Sequence, residues 1–198
     1  MTDYNVVNLT CGGCGNPLAT NQKKCQFCGG PVLITSFNSV YSMTQQQATK
    51  YANSFKNALK ENPNNASLNF SVALCYLKLK LFDQALKAFE KAIEDNFDNS
   101  ETYFYAGICL LKGKKAFLSV RADIDKILEY LQAAITIEPR AIYYYFQAYV
   151  KYDYFHRKHF EISPTYVELL DNAKAIGLPD LDVQSFYSMA GVDKPDGM

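Results

Sequence analysis

The chain has 198 residues, with 20 Lys+Arg against 20 Asp+Glu, 48% hydrophobic and 20% charged side chains. That composition can bury a core and excludes wholesale disorder, while zero net charge gives no field to steer the chain onto nucleic acid or an anionic membrane. No apolar run reaches the roughly 18–20 residues of a membrane span, and Met1 to Thr10 lacks the basic-then-apolar pattern of an export signal, so the expectation is a cytoplasmic protein.

The amino end carries four of the six cysteines, as Cys11-Gly-Gly-Cys14-Gly15 and Cys25-Gln-Phe-Cys28-Gly29, with ten residues between the pairs. A two-residue gap lets each pair close a tight knuckle with both sulfurs aimed at one centre. The trailing glycines suit backbone conformations that a Cβ disfavours. Four sulfurs without a nearby His, Asp or Glu favour a closed tetrahedral site with no open position. The expected cofactor is one structural zinc ion held by Cys11, Cys14, Cys25 and Cys28. A redox dithiol and an iron centre are the rival readings. Val6 to Leu9 and Val32 to Ile34 read as short strands flanking the knuckles.

About thirty residues cannot build a sufficient core alone, so this segment should be unfolded without metal. It resembles the short bacterial-type zinc ribbons, over residues 4–36. As a separable knob it would unfold in Cys11→Ser while the rest of the chain kept its helices. Its nucleic-acid footprint is weak: Lys23, Lys24 and Phe27.

A linker is expected at 37–43, and from about Thr44 the apolar spacing becomes helical and repeats. Triples with spacings of four and then three recur as Tyr51/Phe55/Ala58, Ala85/Phe89/Ala92, Ile127/Leu131/Ala134 and Tyr166/Leu170/Ala173. A preceding-helix pattern recurs as Val72-Ala73-x-x-Tyr76 and Ala106-Gly107-x-x-Leu110, with a worn copy at Gln147-Ala148. Small residues belong where helices cross closely. Asn62-Pro63-Asn64-Asn65 and Glu138-Pro139 supply stops. Ala58 and Ala92 lie 34 residues apart, and the period and pattern together resemble the tetratricopeptide repeat, over about residues 44–178. Departures include the missing Trp, whose site holds Asn69 and Tyr103, and longer intervals after Ala92, which imply insertions in two hairpins.

The fold class expected is mostly α: a tetratricopeptide-like solenoid with a small N-terminal β ribbon. One orphan helix at about 44–61 precedes three helix pairs. Residues 179–198 supply a short capping helix (180–190, through Val183, Phe186, Tyr187 and Ala190) and a loose tail.

The resemblance implies a protein or peptide partner gripped along the first helix of each pair. That face maps to Phe70, Leu74 and Leu77, then Phe104, Tyr105, Ile108 and Leu111, then Ile142, Tyr145, Phe146, Tyr149 and Tyr152. Apolar side chains at these sites argue against a carboxylate clamp for chaperone tails. The ring-rich stretch from Ala141 to Phe155 places aromatics on nearly every side of one helix. Some should therefore face a partner or a second copy, unless the insertion or the C-terminal helix covers them. Cys75 and Cys109 read as buried reduced thiols. The two histidines, His156 and His159, with Glu161 nearby, form a weak metal or acid–base candidate beside Arg157 and Lys158. No nucleophile elbow, zincin or phosphate-loop motif occurs, and the expectation is a non-enzymatic adaptor. The alternative is a ribbon that binds nucleic acid, tethered to a complex by the repeats.

Overall fold

The computed structural model describes residues 6–160 and 162–198. They fall into two compact units, one ending at Phe97 and one running Asp98–Met198.

The first unit opens with a hairpin of β1 (Asn8–Thr10) and β2 (Pro17–Ala19), antiparallel in the register Asn8↔Ala19, Leu9↔Leu18 and Thr10↔Pro17. Leu9 and Leu18 are directly opposed and both buried, so one apolar pair sets the register. Val32 to Ile34 does not form the expected strand. Pairing after the second knuckle stops at an isolated bridge between Lys24 and Pro31. Ile34 turns its backbone to a helix instead: its N–H donates to Ser71 Oγ at 3.0 Å, and the Ser71 hydroxyl lies 3.1 Å from the Ile34 carbonyl. Val32 and Ile34 are buried.

Residues 37–43 carry a five-residue helix, α1 (Phe37–Tyr41), which buries Phe37 and Val40 and packs on α3. Helix α2 (Gln45–Leu59) starts at a capping box in which Thr44 Oγ1 accepts from Gln47 N–H and Gln47 Oε1 accepts from Thr44 N–H. Helices α3 (Ala66–Lys78) and α4 (Phe82–Asp95) pack as a hairpin, and α2 packs on α3. The triples Tyr51/Phe55/Ala58 and Ala85/Phe89/Ala92 are buried, as their spacing predicts. Asn69, at the family's Trp site, donates to the Pro63 and Asn65 carbonyls at 2.9 and 3.1 Å and so ties down the loop before α3.

The second unit holds α5 (Ser100–Leu110), α6 (Arg121–Ile137), α7 (Ala141–Val150), α8 (Tyr166–Ile176) and α9 (Asp180–Ala190). Helix α5 packs on α6, and α7 packs on both α6 and α8. A Cβ on Gly107 would sit 3.2 Å from the Phe146 ring and 3.8 Å from Ile127, which is why the crossing takes glycine. The triple Ile127/Leu131/Ala134 is buried. In α8 the register moves by one residue: Leu169 and Ala173 are buried, while Tyr166 and Leu170 are half-buried.

Helix α7 widens into a π-type turn at Lys151–Phe155. Asp153, with no exposure, accepts from Phe117 N–H at 2.8 Å and from Arg157 Nη1 at 2.5 Å. This carboxylate pins the insertion between α5 and α6 onto the turn, and Arg157 and Lys158 stack over Phe117. No helix of the described residues is long and apolar enough to cross a membrane.

Candidate metal centre and helix-binding face

The two cysteine knuckles repeat one hydrogen-bond pattern. Gly15 N–H donates to Cys11 O and Gly29 N–H to Cys25 O, each at 2.9 Å. Cys11 N–H donates to Asn16 O and Cys25 N–H to Gly30 O, each at 2.8 Å. Closing these loops puts Gly15 and Gly29 at φ of +80° and +72°, a region costly for any residue with a Cβ.

The result brings the Sγ atoms of Cys11, Cys14, Cys25 and Cys28 within 4.8 Å of one another. Cys11 and Cys28 sulfurs stand 3.5 Å apart, and those of Cys14 and Cys25 3.7 Å apart. A tetrahedron with metal–sulfur bonds of about 2.3 Å has sulfur–sulfur edges of about 3.8 Å, so the cluster fits a four-thiolate metal ion. Two donors already face the sulfurs: Gly13 N–H to Cys11 at 3.4 Å and Asn16 Nδ2 to Cys14 at 3.3 Å.

Without a cation the Cys14 and Cys28 thiols are pushed in opposite directions. Hydrogen bonds from the Asn16 side chain and then its backbone hold Cys14 down at about 6. Cys28 is pushed up to about 12: a backbone hydrogen bond from Gly30 lowers it, but the crowding Cys11 and Cys14 sulfurs outweigh it. A dication among the four removes that conflict. They are the one group of three or more metal-capable side chains among the described residues. His156 instead stacks on Tyr152 at 5.6 Å, His159 is exposed in a left-handed turn, and Glu161 lies outside the described residues.

The ribbon is seated on helix α2. A Cβ on Gly12 would fall 2.4 Å from Tyr51 Cδ1 and 2.7 Å from Tyr51 Cα, and one on Gly30 would fall 2.4 Å from Tyr51 Oη. The knuckles therefore press directly on the Tyr51 ring. Ser54 Oγ donates to the Thr10 carbonyl. Burial first, and then the four cysteines, push the Tyr51 hydroxyl up to about 12. The ribbon, α1, α2 and α3 lie in one compact unit, with contacts through Tyr51, Ser54 and Ser71. Lys23, Lys24 and Phe27 are exposed, with Phe27 at 69%. A groove of about 870 Å³ opens between Thr20–Lys23 and the loop of Asn62 to Asn65, and the buried Oε1 of Gln22 on its wall has no hydrogen-bond partner.

The tetratricopeptide repeat profile matches residues 45–106. It spans α2 through most of α5 and agrees with the helix pairs seen there. No curated protein matches the chain.

The residues mapped to a tetratricopeptide partner face are placed differently from that expectation. Phe70, Leu74, Phe104, Tyr105, Ile108, Tyr145 and Tyr149 are all buried, none more than 7% exposed, and Tyr152 is half-buried. Phe70 meets Phe89 at 5.8 Å. Phe104 meets Tyr143 at 5.2 Å and Phe146 at 5.9 Å. Tyr149 Oη accepts from Ala116 N–H at 3.2 Å.

Helix α9 lies against α7 and α5, the first helices of two successive pairs. Its Phe186 ring sits 4.7 Å from Phe146, 5.5 Å from Tyr149 and 6.1 Å from Tyr145. Tyr187 and Tyr145 hydroxyls are hydrogen-bonded at 3.0 Å. The tail is not loose either, because Tyr152 Oη donates to the Asp196 carbonyl at 2.6 Å. The α7 rings Tyr145, Phe146 and Tyr149 are therefore covered by the chain's own carboxyl-end helix, with Ala116 of the insertion also against Tyr149. Of the residues expected to be buried on α9, Phe186, Tyr187 and Ala190 are, whereas Val183 is half-buried and Met189, not among them, is buried; the helix lies on α7 and α5. Cover of the α7 rings by the C-terminal helix, the alternative left open by the sequence, is the arrangement found.

Proposed function

We propose that this chain is a non-enzymatic protein-interaction adaptor of the tetratricopeptide kind, with a structural zinc ribbon at residues 1–36 and the repeat helices at 44–178. The observation that carries the reading is the face of α5 and α7: it already holds a helix, α9, through aromatic contacts of the type used between proteins. Zinc is favoured by four thiolates at tetrahedral spacing. Its role is to complete a small core against Tyr51 and Ser54. All six cysteines are free thiols, and Cys75 and Cys109 are buried, which suits a reducing compartment and supports a cytoplasmic location.

The alternative, a ribbon that binds nucleic acid, rests on exposed Lys23, Lys24 and Phe27. Two cations neutralise at most two phosphates, so such binding would be weak and salt-sensitive. The test is affinity capture on the intact metal-loaded chain, followed by reconstitution with the purified candidate. A complex of fixed stoichiometry is expected. The reading fails if no captured protein reconstitutes, or if the purified chain holds a single-stranded oligonucleotide at low salt and no protein.

A further inference from the structure

We propose that α9 is the resident occupant of a helix-binding groove on α5 and α7, and that the partner takes its place with an amphipathic helix bearing an adjacent Phe–Tyr pair. The inference deepens the adaptor reading and rests on it. A helix that merely extended a stack would continue from the last pair. Helix α9 instead lies across the first helices of two pairs, where a ligand would lie.

Its attachment is one-sided. Phe186, Tyr187, Met189 and Ala190 are buried, whereas Asp180, Leu181, Asp182, Gln184 and Ser188 are exposed, Leu181 at 69%. One face thus grips the groove and the other faces solvent. Phe186 and Tyr187 make the ring contacts, with Met189 and Ala190 buried one turn later. That is the chemistry a replacing helix must copy.

The same features allow release. Helix α9 has eleven residues and no side chain capping its N-terminus, so it would not persist alone in water. It is joined to α8 through Gly177, at φ +95°, followed by Leu178 and Pro179, a joint whose glycine relieves the steric limit on the turn. A second latch, Tyr152 to the Asp196 carbonyl, must open with it. Local opening below the global unfolding free energy is the ordinary behaviour of such a segment, and a ligand binding the opened state shifts the population towards it.

The test uses the full chain and a fluorescein-labelled peptide with the sequence of residues 180–190. Wild-type protein holds its own α9 in the groove and should bind the peptide poorly. Phe186→Ala loosens the resident helix and should bind the wild-type peptide at least tenfold more tightly, as read by fluorescence anisotropy. Equal affinity for the two proteins, with the variant's circular dichroism intact, overturns the proposal. Should Phe186→Ala unfold, hydrogen exchange on the wild type decides: α9 amides should exchange at least tenfold faster than those of α7, and equal protection overturns the proposal. A dimer formed by exchange of α9 between copies, seen by light scattering, makes the occupant a second copy and also overturns it. None of these readouts needs an outside protein, so the adaptor reading can fail at the capture step while α9 release holds, and the reverse.

Discussion

Cysteine chemistry divides the six thiols by environment. Cys75 has no exposure, and burial pushes its thiol up to about 12; Cys109 is equally buried. Thiol titration of the native, metal-stripped chain should therefore count four reactive groups, with the remaining two appearing only in denaturant. Six reactive thiols in native protein would mean that the helix-pair cores are open. At Gly12 a methyl group would meet the Tyr51 backbone, which cannot swing aside as a side-chain tip can. Gly12→Ala should cost about 1–3 kcal/mol through overpacking. The cost should appear as weaker metal retention in chelator competition, and unchanged retention would show that the knuckle moves freely. Tyr143 offers a pH test. Burial pushes its hydroxyl up to about 12, although a hydrogen bond with Ser100 pulls the other way. The folded state then holds a proton that an unfolded tyrosine gives up near its ordinary 10. Stability from this group is complete below pH 10 and declines as pH rises from about 10 to 12. Denaturant midpoints measured across that window should fall, and a flat profile would contradict the burial.

Between elements, the decisive contact is the ribbon on α2 and α3. Its spacing marks a metal site but says nothing of where the knuckles rest, and a self-contained knob would leave the helices indifferent to metal. The structure couples them through Tyr51, Ser54 and Ser71. Cys11→Ser should therefore reduce the helical circular dichroism signal and expose residues 37–61 to proteolysis; full retention of helicity would disprove the coupling. Helix α7 gives the complementary case. Phe104 and Tyr145 are internal, and truncating a buried ring to Ala costs about 3–5 kcal/mol. Against a total stability of about 5–15 kcal/mol, the double variant Phe104→Ala with Tyr145→Ala should unfold the unit that contains them rather than simply weaken binding. A cooperative, near-native melting transition in that variant would place these rings outside the core.

For the whole molecule, a metal held by the four cysteines would act as a folding ligand. Free metal at about one hundred times its dissociation constant adds about 2.7 kcal/mol to the state that binds it. The thermal midpoint should rise with buffered free zinc and should lose that gain as pH falls, because protonated thiols release the ion. Independence of the midpoint from zinc would remove the structural role.

Cysteine spacing, the four-and-three apolar triples and the 34-residue interval sufficed to mark the four cysteines that come together, the helix pairs and most of their buried faces. These are local patterns, fixed by the reach of a knuckle and the pitch of a helix. The α8 register slipped by one residue because Leu169 and Leu170 are adjacent and only packing chooses between them. The fates of Val32–Ile34, of the ribbon and of the aromatic face were decided by tertiary structure. Each depends on which groups meet across tens of residues, the Ile34 backbone with the Ser71 hydroxyl and the Phe186 ring with Phe146, and no periodicity encodes that choice. An aromatic ring reads the same in sequence whether it awaits a partner or is already covered. Here α9 covers it, because burying those rings in the same chain removes apolar surface from water without the entropy loss of association.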